Sequence, residues 1–100
     1  MTKKRTHMKY TEYLYDRLKN PKLALAYLNE ALKDEDQKVF LTALKDVLEA
    51  QGEDISAFTK RANISRQSFY RILSKSGNPR WNKITSLINA MGLQVHISYK

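Results

Sequence analysis

Arg66, Gln67, Tyr70 and Arg71 fall within six consecutive positions directly after Ser65, interleaved with Phe69, Ile72 and Leu73 at helical spacing. With Ser65 as N-cap, the polar set lies on the outward side of a helix and the apolar set points inward. An Arg can pair bidentately with guanine O6 and N7, and a Gln with adenine N6 and N7. Recognition helices touch bases with their N-terminal turn, so the predicted chemistry is noncovalent reading of double-stranded DNA. Ser56, Lys60, Ser65, Ser68, Lys75 and Lys83 supply the hydroxyl and ammonium groups suited to phosphates, which set register.

Competing chemistries lack their residues. His7 and His96 are far apart, with no His, Asp or Glu at ligand spacing around either. No Gly-rich phosphate loop and no nucleophile elbow is present. The absence of cysteine excludes disulfide scaffolds and Cys-ligated zinc. The expectation is binding without catalysis, cofactor or metal.

The elements that must position these groups are helices. A chain of 100 residues, 42% hydrophobic, with three Gly and two Pro, has apolar material for a modest core and too little turn material for a β-sandwich. Asn20-Pro21 reads as an N-cap followed by proline at the first helical position, opening a helix to about Lys33 with Ala24, Tyr27, Leu28, Ala31 and Leu32 on its apolar face. Asp34 as N-cap with Gln37 in a capping box opens the next, Glu35 to Gln51. Its buried stripe is Phe40, Leu44, Val47 and Leu48 flanked by Val39 and Ala43, and Gly52 ends it.

Two short helices follow over 54–62 and 66–74, joined by Asn63-Ile64-Ser65. Phe58 and Ala62 face Phe69, Ile72 and Leu73, Ile64 plugs the angle, and the small Ala57 and Thr59 permit close approach. Asn63 stands where a left-handed residue is needed. Trp81, Ile84, Leu87, Ile88 and Met91 mark a last helix stopped at Gly92. Leu93, Val95, Ile97 and Tyr99 then alternate with polar residues, which predicts a half-buried strand. Such a strand has no partner in the chain, so antiparallel pairing with a second copy, and hence a homodimer, is expected.

The N-terminal 1–19 form a separate basic, Tyr-rich segment, with the first seven residues mobile and a short helix over 8–19; residues 20–100 form one helical domain. Charge is partitioned along the chain. Residues 1–20 carry six cations and two acids, 21–54 four cations and eight acids, and 55–100 eight cations and no acid, for a total of +8. An acid-free cationic block is suited to a polyanion, whose phosphates neutralise it and release counterions. No apolar run reaches the roughly 18 residues of a membrane span, and a secretory h-region is missing, so a cytoplasmic location and no membrane partner are expected.

Tyr27-Leu28-Asn29-Glu30-Ala31-Leu32, Phe40 with Ala43-Leu44, Ile64-Ser65-Arg66 with Ser68 and Tyr70, Leu73-Ser74, Gly77-Asn78-Pro79 and Met91-Gly92-Leu93 together resemble the addiction-module antidote family over about residues 20–97. The resemblance implies an all-α fold of five to six helices with a phage-repressor-like helix-turn-helix. It also implies a cognate toxin of the RelE/ParE ribonuclease type, encoded beside the antitoxin, and repression of the antitoxin's own operon through an operator. Residues before Tyr10 match nothing in the family pattern, and Arg80-Trp81 places a larger aromatic where a smaller apolar residue is expected. Two surfaces could hold the toxin: the aromatic and apolar anchors Tyr10, Tyr13, Leu14, Tyr15 and Leu18, or the acidic Glu30, Asp34, Glu35 and Asp36. A stand-alone repressor without a toxin, and an adaptor for RNA or protein, are the alternative readings of the same residues.

Overall fold

The computed structural model describes the backbone of residues 2–74 and 76–100 and the side chains from Tyr10 onward apart from Lys75. Among these residues there are six helices and no strand: α1 (Thr2–Leu18), α2 (Pro21–Leu32), α3 (Gln37–Ala50), α4 (Ile55–Ala62), α5 (Arg66–Leu73) and α6 (Trp81–Ala90). They divide into two compact units, Met1–Glu53 and Asp54–Lys100. Within the first unit α1 packs on α2 and α3. α1 also begins at Thr2, ahead of the expected start near residue 8, in a run whose Lys, Arg and Met residues are good helix formers.

In the first unit, the Lys22 N–H donates to the Asn20 side chain at 2.9 Å, and Pro21 occupies the first turn, as the Asn-Pro pair predicts. α3 departs from expectation. Its N-cap is Asp36, which accepts from the Lys38 N–H at 3.0 Å, while Asp34 accepts from the Asp36 N–H at 2.8 Å. Asp34 is thus spent on a turn that presents Asp36, and the helix starts two residues later than a cap at Asp34 would give.

α3 packs against both α1 and α2, so its buried surface is wider than one stripe. Leu41 is buried alongside Phe40, Ala43, Leu44, Val47 and Leu48, with Leu18, Ala24 and Leu28 packed in the same core. Val39 and Leu32, expected on buried faces, are exposed: Val39 lines the open groove between α2 and α3, and Leu32 is the last residue of α2.

Two tyrosines tie the unit to acids of α3. The Tyr15 hydroxyl donates to Glu49, and the Tyr27 hydroxyl donates to Asp46 at 2.9 Å. The bond to Glu49, followed by burial, pushes Tyr15 up to about 12, and burial followed by the bond to Asp46 pushes Tyr27 up to about 12, against an ordinary 10.0. Burial also holds the Asp46 carboxyl above the usual carboxylate range, against the opposing pull of the Tyr27 hydroxyl.

A proton held more tightly in the folded state stabilises that state below the unfolded pKa and ceases to do so above the folded one. Stability from these phenols is therefore complete below pH 10 and drains away as the pH rises toward and past about 12. Denaturant titrations across this range should show the loss in wild type and a much flatter profile in a Tyr15→Phe, Tyr27→Phe double variant. Parallel profiles would refute the assignment.

In the second unit α4 packs on α5 and α6, around Phe58, Ala62, Phe69, Ile72, Ile84, Leu87 and Ile88. Thr59 is buried, and its hydroxyl donates to the Ser56 carbonyl at 3.1 Å, so burial leaves no unpaired group. Ala57 is exposed, contrary to expectation. The small residues in the core of α4 are Thr59 and Ala62, because Phe58 sets the inward direction.

One device ends three helices. Gly52, Asn63 and Gly92 all have left-handed φ (66, 58 and 79°), and after each the chain closes paired bonds back onto the helix. These bonds run from Gly52 to Glu49 and Glu53 to Leu48, Asn63 to Lys60 and Ile64 to Thr59, and Gly92 to Asn89 and Leu93 to Ile88.

The strand predicted over 93–99 does not form. Leu93 is half-buried, whereas Val95, Ile97 and Tyr99 are exposed, the last two almost fully. Alternation supplies a face, but a strand also needs a ladder partner, and among the described residues the chain offers none.

Candidate nucleic-acid interface

The α4–α5 pair is assembled from local signals. Asp54 caps α4, accepting from the Ser56 and Ala57 N–H groups at 2.9 and 3.3 Å. Asn63, with φ 58° and ψ 44°, reverses the chain. Ser65 then caps α5, its hydroxyl oxygen accepting from the Ser68 N–H at 3.0 Å. Between the helices the Phe58 and Phe69 rings meet edge to face at 5.8 Å and 67°, a preferred geometry for a buried aromatic pair.

Burial of Phe69 and Ile72 fixes the rotation of α5, and Arg66, Gln67, Tyr70 and Arg71 are consequently exposed. Tyr70 leans on Phe69 with ring centroids 5.4 Å apart, which restricts its ring while leaving 49% of the residue accessible. Arg66 and Gln67 occupy the first turn of α5, where the partial positive end of the helix also favours phosphate. Among the described residues no carboxylate forms an ion pair with Arg66 or Arg71.

The remaining expected contacts are placed unequally. Ser56, Lys60 and Lys83 are exposed. Ser68 is half-buried, and the Ser65 hydroxyl donates to the Ser68 hydroxyl at 3.0 Å, so both serve the cap. Lys75 lies outside the described residues.

Two residues have structural roles the sequence did not announce. Arg61 lies over the Phe58 ring at 5.6 Å, and its Nε donates to the Ala90 carbonyl at 3.2 Å, so this cation of the basic block ties α4 to the end of α6. Gly77 passes so close to the end of α5 that an added Cβ would lie 2.3 Å from the Arg71 carbonyl oxygen and 2.8 Å from that of Ile72. A glycine four residues past a helix, before Asn-Pro, was the available signal.

The five N-terminal anchor candidates do not share one environment. Tyr10 and Tyr13 are exposed; Arg17 donates to the Tyr13 hydroxyl at 3.2 Å and stacks on its ring. Leu14 and Tyr15 are half-buried, and Leu18, only 2% exposed, belongs to the core and offers nothing to a partner. Of the acids, Glu30 pairs with Lys33 at 3.3 Å, Asp34 and Asp36 serve the turn and cap, and Glu35 is exposed. Among the described residues no cluster of His, Cys, Asp or Glu could hold a metal ion, and no helix is long and apolar enough to cross a membrane.

The sequence profile of a family described as "probable addiction module antidote protein" matches residues 6–99, nearly the whole chain. The chain belongs to this antidote family. An uncharacterized protein of Haemophilus influenzae is similar to the antidote, 34% identical over 71 residues, which span 71% of each chain. No solved structure matches the antidote. Membership gives it the general role of an antitoxin, with a toxin as its partner.

Proposed function

We propose that this antidote does two binding jobs: it holds a RelE/ParE-like, ribonuclease-type toxin inactive, and it represses its own operon by reading an operator through α4 and α5 as a phage-repressor-type helix-turn-helix. The observation that carries the DNA reading is the exposed Arg66-Gln67 turn, set by the Phe58–Phe69 seam in a stretch with no acid after Asp54. Arg66 and Gln67 read base edges, Tyr70 and Arg71 flank them, and Ser56, Lys60 and Lys83 contact phosphates, with Lys75 assigned there by its sequence position alone. Association of two copies, supported by the exposed apolar Val95, Ile97 and Tyr99, would present two such helices to a near-palindromic site.

The test uses the DNA upstream of the antidote's own reading frame. Arg66→Ala or Gln67→Ala should each cost about 1–3 kcal/mol and relax preference at particular base pairs, whereas Lys60→Ala should weaken all sequences alike and lower the salt slope by about one. Wild-type affinity and specificity in Arg66→Ala would remove the recognition-helix assignment.

A further inference from the structure

Tyr27 joins two surfaces that look separate in the sequence. Tyr27 lines an open groove of about 670 Å³ between α2 and α3, together with Ala31, Val39 and Ala43 and with the charged Glu30, Lys33, Asp34 and Lys38. Its hydroxyl reaches Asp46, and Tyr10 and Tyr15 lie near enough to act on it electrostatically. Val39, Thr42, Asp46 and Glu49 follow one another at helical spacing along α3, so the acids that bind Tyr27 and Tyr15 lie in line with the groove residues Val39 and Thr42. Tyr27 thus stands between Tyr10 of α1 on one side and the turn that carries Asp34 on the other.

That face combines aromatic rings, an apolar groove and carboxylates. Over residues 30–49 there are six acids and three lysines. Two of those lysines sit by acids, Lys33 at 3.3 Å from Glu30 and Lys45 at 4.0 Å from Glu49, but both pairs are solvent-exposed and yield readily to a competing cation. A tyrosine beside a carboxylate suits arginine better than lysine, since a guanidinium can stack on the ring and pair with the acid together. A protein that acts on RNA must itself carry cationic surface to attract phosphates, which makes it complementary in charge to this face.

We infer that the antidote seats its toxin along this face, from Tyr10 through the α2–α3 groove to Asp34, and that the toxin segment held there is amphipathic and arginine-bearing. The inference rests on the antitoxin reading above. Covering that segment would remove the toxin's own phosphate-attracting residues from solution, so binding and neutralisation would be one event.

The experiment measures affinity of the full-length chain for the product of the adjacent reading frame by calorimetry at low and moderate salt. A Glu30→Lys, Asp34→Lys double variant should weaken binding by about 100-fold, with the deficit shrinking as salt rises, and Tyr10→Ala should weaken it by about tenfold. Both should bind operator DNA as wild type does, which separates a lost contact from a lost fold. Should the double variant fold poorly, Tyr10→Ala, at a side chain 64% exposed, decides alone. Toxin affinity within about twofold of wild type in the variants overturns this seat while leaving the antitoxin reading intact. Failure of the wild-type chain to bind that product overturns both.

Discussion

Phe58→Ala is expected to melt the second unit tens of degrees below wild type and to abolish the proposed operator recognition with it. Phe58 is fully buried and meets Phe69 edge to face at 5.8 Å, so truncation removes the seam that orients α5. Phe→Ala substitutions in cores cost about 3–5 kcal/mol, and a domain of this size has only about 5–15 kcal/mol in total. Amide hydrogen exchange resolved by residue should show protection lost over 54–100 and largely kept over 10–53. Phe58→Leu, which keeps most of the volume, should retain the fold. An alanine variant melting within a few degrees of wild type would mean that the aromatic seam is not what sets α5.

Gly77→Ala is expected to be the most damaging of the three glycine-to-alanine changes. The atoms an added Cβ would meet, the Arg71 and Ile72 carbonyl oxygens at 2.3 and 2.8 Å, are backbone and cannot rotate away. Either the 76–79 loop or the last turn of α5 must move, with a cost of about 1–3 kcal/mol or more. Gly52→Ala separates close approach from conformation: its φ of 66° is unfavourable for alanine, yet nothing lies within 4 Å of the new methyl. Thermal melts should therefore rank Gly77→Ala below Gly52→Ala, and Gly77→Ala should also weaken DNA binding because the strain falls on the turn that carries Arg71. The reverse ranking would contradict the contact geometry.

What could be read in advance was local. Asn20, Asn63 and Ser65 were legible because capping and left-handed reversal act over three or four residues, and the structure places each as that chemistry requires. The exposed set on α5 followed from the same short range, since Phe69 and Ile72 fix its rotation.

What depended on distant neighbours was not legible. Leu41 is core and Val39 is exposed on a helix that two others pack against, so its buried surface is not the single stripe the spacing suggests. Asp36 displaced Asp34 as the cap because adjacent acids compete for one turn. Tyr15 finds Glu49 across 34 positions. Leu18 looked like a surface anchor by its spacing with Tyr10 and Leu14, yet it is core. Residues 93–99 show the limit of periodicity, since alternation describes a side-chain face and says nothing about where the backbone groups find partners.

The division after Glu53 has a consequence for how such a protein can change. The turn proposed to read bases lies wholly in the second unit and the proposed toxin seat wholly in the first. Substitutions that retune recognition of one partner would therefore fall in a different compact unit from those that retune the other. A lineage could follow a drifting toxin through Tyr10, Glu30 and Asp34 while its operator preference stays as it was, or acquire a new operator through Arg66 and Gln67 without releasing its toxin. Paired specificities of this kind can diverge one at a time, and two recently duplicated copies need not interfere with each other for long.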